Sequence, residues 1–300
     1  MIWGSFGLTH ILTLIFGVLI NVALYFLLRK ASEKVQIWVL FVLSFAGISA
    51  IIYNLVTWNS PFEYLPLHLC SLNAMLLPFA VWFRKKWCCN LLLLWSLGSY
   101  VALILNMSMA TAELTSAPFF FYYFPHVLEA GIPILLFALN LVEKEPKTIG
   151  STLIITFTVY TIIHFINVAI NSANLLDPTG DIIQVNYMFS ITPNNPVLNL
   201  FWSIIPHSYW YMYLAVPIII IYLGCWYLPQ ILKSIKNRKA SVVKLREKNR
   251  IAYKKRTGKD FPEPKFSWKI KDGKLYIYMT MGGLKSKKPA VFLSGKYPQI

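Results

Sequence analysis

The chain has 300 residues, of which 57% are hydrophobic and 13% charged, and its net charge is +16. That composition lies outside the soluble range, and it points to a membrane protein. Four cysteines in 300 residues also exclude a disulfide-stapled secreted domain.

Crossing hydrocarbon takes an apolar run of about 20 residues. Seven such runs are predicted as membrane helices, at 8–28, 35–57, 65–83, 88–109, 119–142, 150–171 and 205–228. The first has no basic stretch before it and no prompt small-residue cleavage site after it, so it reads as a retained helix. Pro133 is expected to kink the fifth.

The connections alternate in charge. Arg29, Lys30 and Lys34 follow the first run, Arg84, Lys85 and Lys86 the third, and Lys144 and Lys147 the fifth. The other connections carry no basic residue, only Glu63, Glu113, Asp177 and Asp181. Basic loops mark the cytoplasmic side. The predicted fold class is therefore an all-α polytopic membrane protein, with seven transmembrane helices, the N-terminus outside and the C-terminus cytoplasmic.

A composition boundary follows Gln230, giving a membrane domain over 1–230 and a basic tail over 231–300. The tail holds twenty basic and four acidic residues, which is the whole net excess. Residues 231–257 read as a basic helix. A turn at Asp272-Gly273 between two alternating segments predicts a small β-hairpin. The expected partner is anionic inner-leaflet lipid, at about 1 kcal/mol per basic residue near the surface. Nucleic acid or ribosome contact is the weaker alternative, since no nucleic-acid motif is present.

All five histidines fall in the predicted outer half or at its boundary: His10, His68, His126, His164 and His207. Ionisable groups within membrane helices are costly, face the bundle interior and mark function. His10 and His207 also suit interfacial anchors, and His164 also suits a hydrogen bond to Asn167. Glu129 stands one helical turn after His126 and could orient its imidazole as a general base. The segment Leu65-Pro66-Leu67-His68-Leu69-Cys70 is the densest signal. Pro66 suits the first helical position. That places Cys70 near the positive end of a helix dipole, with Asn73 one turn on as a hydrogen-bond donor. His68, two residues from Cys70, would point about 200° away in a regular helix, so His126 is the better base. Cys70 is the only thiol expected at outer depth. Cys88, Cys89 and Cys225 lie toward the cytoplasmic ends as packing or palmitoylation residues.

Five histidines with Glu129 and Cys70 would also suit a metal-dependent membrane lipid hydrolase. No two histidines have helical ligand spacing, so the ligands would have to come one per helix. The reading preferred from the residues uses no metal and no cofactor. The loop of some thirty residues after the sixth run, with Asn186-Tyr187-Met188, is long enough to cap the bundle.

At these residues the chain resembles the YwaF family of bacterial integral membrane proteins. The matching pieces are Phe6 with His10, Leu65 through Cys70, Phe124-Pro125-His126, Asn186-Tyr187-Met188, and Pro206 through Tyr211, across roughly residues 1–228. His207-Ser208 departs from the Trp/Pro-rich form of the last motif. A eukaryotic relative of that family is an acyltransferase that remodels ether phospholipids with a cysteine nucleophile. The resemblance implies Cys70 as nucleophile, His126 as base, and a bacterial plasma membrane as location.

An outward-facing site has no ready access to cytosolic acyl-CoA, so a membrane phospholipid is the expected acyl donor. The acceptor would be a lysophospholipid, the amino terminus of an outer-face lipoprotein, or water. Glu129 joins the expected catalytic set, with His10, His68, Asn73, His164, Asn186, Tyr187 and His207 in supporting roles. The rival readings are a transporter and a non-catalytic lipid-binding scaffold. A nearly apolar inner half argues against a transport path, and a scaffold has no need of Cys70.

Overall fold

The computed structural model describes residues 1–58, 60–105, 109–260, 265–271, 274–281, 284–285 and 290–292. The chain divides into two compact units, Met1–Ile231 and Leu232–Ile300.

The first unit is helical. α1 spans Leu8–Leu28, and the second apolar run forms α2 (Glu33–Ser44) and α3 (Ala46–Thr57). The break between them is Phe45, whose N–H bonds back three residues to the Val42 carbonyl at 3.2 Å. α4 spans Leu69–Phe83, α5 Lys86–Leu105, α6 Ala117–Ala138, α7 Ile149–Ser172, α8 Pro196–Ile204 and α9 Val216–Thr257. Among the described residues six helices are long and apolar enough to cross a membrane: Leu8–Leu28, Glu33–Thr57, Lys86–Leu105, Ala117–Ala138, Pro146–Ser172 and Tyr209–Ser241. The protein is a multi-pass membrane protein. α4 has only 15 residues, or roughly 22 Å at 1.5 Å per residue, against about 30 Å of hydrocarbon.

α4 is short because it starts late. A residue before proline is pushed out of the helical region, and Leu65 is extended (φ −56°, ψ 142°). The helix begins after His68, its N-cap, which is itself extended (φ −74°, ψ 154°). Pro66 therefore precedes α4, and the expectation that it opens the helix is corrected.

Contacts sort the connections to two ends. At one end Arg84 pairs with Glu33, and Lys86 pairs with Glu143 at 2.7 Å. Lys144 lies over the Trp226 ring at 4.7 Å, and the Tyr227 hydroxyl donates to Asn90 Oδ1. At the other end the Trp3 N–H bonds to the Ala112 carbonyl at 2.9 Å, and the Tyr187 hydroxyl donates to the Phe62 carbonyl. Between them lies an apolar cluster that includes Leu77, Val81, Leu92, Leu93, Ile132, Leu136 and Leu223.

α6 runs unbroken through Pro125 and Pro133. A proline lacks the N–H that would bond four residues back, so Pro133 leaves the Glu129 carbonyl without its intrahelical donor. Asn73 of α4 supplies the replacement, Nδ2 to O at 3.2 Å. Thus α4 and α6 are tied at the level of Glu129. On the other side of α6, Asn21 of α1 donates to the Val127 carbonyl at 3.0 Å. Gly131 makes room for it, since any Cβ there would overlap the Asn21 amide.

The loop after α7 is more ordered than its composition suggests. It contains α8, which was not anticipated, and a 3₁₀ turn at Tyr187–Phe189. A longer 3₁₀ turn, Tyr209–Ala215, precedes α9. Cys88 and Cys89 are buried, as packing residues are, while Cys225 is exposed.

The second unit contains four strands: β1 (Lys265–Lys271), β2 (Lys274–Met281), β3 (Leu284–Lys285) and β4 (Ala290–Phe292). β1 and β2 are antiparallel, with Lys271 opposite Lys274, and β3 and β4 also pair antiparallel with β2. The expected Asp272-Gly273 turn lies outside the described residues.

Candidate functional site

The five histidines divide by what their ring nitrogens do. His10 is fully buried. Its Nδ1 accepts the Phe6 N–H at 2.9 Å, so its Nε2 carries the proton and donates to the Leu103 carbonyl at 2.9 Å. Both nitrogens are used, and Trp3 packs edge-on against the ring at 5.3 Å. His10 therefore fastens the N-terminal segment to α5 and has nothing left for chemistry.

His164 stacks on Tyr209 at 4.3 Å, and its Nδ1 pairs with the Ser190 hydroxyl at 3.2 Å. Its expected bond to Asn167 is not made. Asn167 instead donates to the Tyr187 carbonyl and to Ser190 Oγ, both at 2.8 Å. His207 does not open the last membrane helix. It has left-handed backbone (φ 55°) and packs on Trp202 at 5.6 Å, because the chain turns between α8 and the 3₁₀ segment there.

His68 and His126 remain, together with Cys70. Cys70 is the second residue of α4 and partly buried. The Ser71 hydroxyl and the N–H groups of Cys70 and Ser71 face its sulfur. First-turn N–H groups have no intrahelical acceptor, so the thiol stands where the helix favours negative charge. Cys70 is within electrostatic range of Glu129, Tyr64 is within range of both, and His68 is within range of His126.

His126 donates Nδ1–H to the Tyr122 carbonyl at 2.6 Å. A carbonyl only accepts, so this contact sets the tautomer and leaves the lone pair of the neutral ring on Nε2. The ring also packs on Tyr122 at 4.3 Å, and the Tyr122 hydroxyl is anchored to the Ala102 carbonyl at 2.9 Å. The spacing leads one to expect Glu129 to orient His126, but it makes no hydrogen bond to that ring. Its Oε2 accepts the Ser99 hydroxyl at 3.0 Å. Neither does Asn73 turn to Cys70, because Pro133 leaves it a better acceptor in the Glu129 carbonyl.

His68 is not set against Cys70 by a helical 200°. It is the extended N-cap, so the helical wheel does not apply to it. Its Nδ1 accepts the Met188 N–H at 3.3 Å, and its ring packs against Tyr187 at 5.5 Å and Phe189 at 5.4 Å. The long loop thus does cap this end of the bundle. Tyr187 is held by Asn167 through its N–H at 3.0 Å. Asn186 is used within the loop, accepting from the Ile191 N–H and donating to the Thr192 carbonyl.

Four neighbours of the site were not anticipated: Tyr64, Ser99, Tyr122 and Gly47. Ser99 carried a faint signal, since Ser96 and Ser99 share a helix face and both are fully buried in α5. Gly47 carried none. A Cβ at Gly47 would stand 2.5 Å from Glu129 Oε1 and 2.5 Å from Ala74 Cβ, so the carboxylate lies directly against the α3 backbone. Among the described residues no set of three His, Cys, Asp or Glu side chains is gathered as metal ligands.

A family model described as the TMEM164 family matches residues 5–228, so the chain belongs to that family, a family of membrane proteins. The match spans nearly the same stretch as the resemblance read from the motifs, and the basic tail lies beyond it. No curated protein and no solved structure is significantly similar to the chain.

Proposed function

We propose that this TMEM164-family protein is an integral membrane acyltransferase, a transacylase that carries a fatty acyl chain from a phospholipid through a thioester on Cys70. The observation that supports it most is a helix-terminal thiol within electrostatic range of Glu129, which stands one turn along α6 from a histidine whose Nε2 lone pair is set by its Nδ1 contact. The YwaF-like motifs point the same way. In the reaction His126 Nε2 takes the Cys70 proton and the sulfur attacks the ester carbonyl. The C–O bond to glycerol breaks, and the leaving alkoxide takes the proton from His126. A lysophospholipid hydroxyl, a lipoprotein amine or water then repeats the sequence in reverse and frees the thiol. Glu129, tied to Ser99 and Asn73, is a positioning residue that joins α4, α5 and α6 around the thiol. The apolar cluster below the site favours this reading over a transporter. Intact mass of the purified protein after incubation with phospholipid tests it: an added acyl mass on Cys70 is expected, and its absence would sink the covalent mechanism.

The topology belongs to the same proposal. Seven crossings, with the enclosed α4 as the short one, put the N-terminus outside and the basic loops and tail in the cytoplasm, in a bacterial plasma membrane. Single-cysteine labelling of intact cells with an impermeant reagent should mark position 177 and spare position 254. The reverse pattern would turn the site to the other face.

The tail, with its paired strands, is proposed to hold anionic inner-leaflet lipid, with RNA or ribosome contact as the competing partner. Truncation after Gln230 should leave thioester formation within about twofold, while binding to anionic vesicles falls with the lost charge. A truncated protein that folds but forms no adduct would make the tail part of the catalytic unit.

A further inference from the structure

His68 and His126, within electrostatic range of each other, hold opposite tautomers, and this is not accounted for by a mechanism with one base. His126 gives its Nδ1 proton to a carbonyl and keeps a lone pair on Nε2. His68 receives an N–H at Nδ1, so in its neutral form the proton sits on Nε2. One ring can only accept at Nε2, and the other can only donate.

The contact that sets His68 is made by unusual backbone. Met188 and Phe189 are consecutive non-glycine residues with left-handed φ, 53° and 56°. Such residues cost of order 1–3 kcal/mol each and persist only where their surroundings hold them. Here the surroundings do so from three directions. Tyr187 is fastened to Asn167 and to the Phe62 carbonyl. The Tyr211 hydroxyl donates to the Phe189 carbonyl, and Ser190 meets Asn167 and His164. The strained pair aims one N–H at one imidazole nitrogen.

We propose that His68 is a catalytic hydrogen-bond donor, its Nε2–H stabilising the oxyanion that forms on the substrate's carbonyl oxygen when Cys70 is acylated and deacylated. The assignment rests on the acyl-transfer reading and goes beyond it, since it divides the work between the two rings. His126 moves the proton. His68 transfers none and stays neutral throughout, donating more strongly as charge builds on the carbonyl oxygen. Its position as N-cap places it beside the first-turn N–H groups of α4, which supply the same kind of stabilisation. A preorganised donor of this sort contributes about 10²–10³-fold in rate.

The test measures the rate of acyl-adduct formation on the full-length protein with a defined phosphatidylcholine, read by intact mass. The comparison is among wild type, His68→Leu and His68→Gln. Leucine removes the donor, and glutamine restores an N–H. The Leu variant should acylate roughly 10²–10³-fold more slowly, with substantial recovery in the Gln variant and adduct still confined to Cys70. Nitrogen-15 NMR of the labelled histidines should show His68 as the Nε2–H tautomer and His126 as the Nδ1–H tautomer, a readout independent of turnover. A His68→Leu protein that acylates at the wild-type rate overturns the donor role alone, as does a His68 that carries its proton on Nδ1. A Gln variant as slow as the Leu variant, with both folded, also overturns it. A wild type that forms no adduct at all overturns the acyl-transfer reading instead.

Discussion

Cys70→Ala is expected to give a folded protein that forms no acyl adduct and transfers no acyl chain. The sulfur is the only atom asked to carry the acyl group, and no other cysteine can replace it: Cys88 and Cys89 are buried in the apolar cluster, and Cys225 lies on α9. His126→Ala should leave the thiol in place but slow adduct formation by roughly 10²–10⁴-fold, the usual weight of a general base. Glu129→Gln should do far less, because a glutamine carbonyl still accepts from Ser99 and the backbone carbonyl still accepts from Asn73. Adduct rate by mass and transfer by labelled phospholipid would both be followed. Full transfer by Cys70→Ala, abolished by a chelator, would replace the covalent mechanism with a metal site.

The second large effect is expected far from the thiol in sequence. Gly47→Ala pushes a methyl group into the space held by Glu129 Oε1 and Ala74 Cβ, each 2.5 Å from where it would sit. The Ala74 methyl has no rotamer to escape into, so α3 and α4 must part or the carboxylate must move. Overpacking of this kind costs about 1–3 kcal/mol. Thermal unfolding in detergent should show that loss, accompanied by slower acylation. Adding Ala74→Gly should recover much of the stability, while the displaced Glu129 keeps acylation slow. Unchanged melting and unchanged rate in Gly47→Ala would mean that α3 does not lie against Glu129.

Why one of these effects was foreseeable and the other not is a matter of range. Cys70, His126 and the short motifs around them are local, and reactive side chains in an apolar chain are conspicuous wherever they fall. Gly47 is one small residue in a hydrophobic run, and only α6 packing across α3 gives it meaning. The same holds for Asn73. Its partner looked like the thiol one turn away, but a proline on another helix had left a carbonyl open. His126 and Glu129 have the spacing of a pair, yet each found a better partner, one in its own backbone and one on α5. The helical angle that makes His68 a poor base for Cys70, and leaves it a supporting role, does not apply to an extended N-cap.

Hydropathy and residue type alone place this protein in a membrane, locate its hydrophobic helices, and mark the side chains that are chemically exceptional. Hydropathy does this because the bilayer makes every polar group costly and every backbone hydrogen bond obligatory, so the helices are written locally. Packing between helices accounts for the rest: a strained loop holds His68, its Nδ1 contact sets the proton on Nε2, and Asn73 turns to the Glu129 carbonyl. Those outcomes depend on single hydrogen bonds between residues as far apart as His68 and Met188 or Asn73 and Glu129. Such bonds leave no periodic trace along a chain, because they form only after the helices have packed.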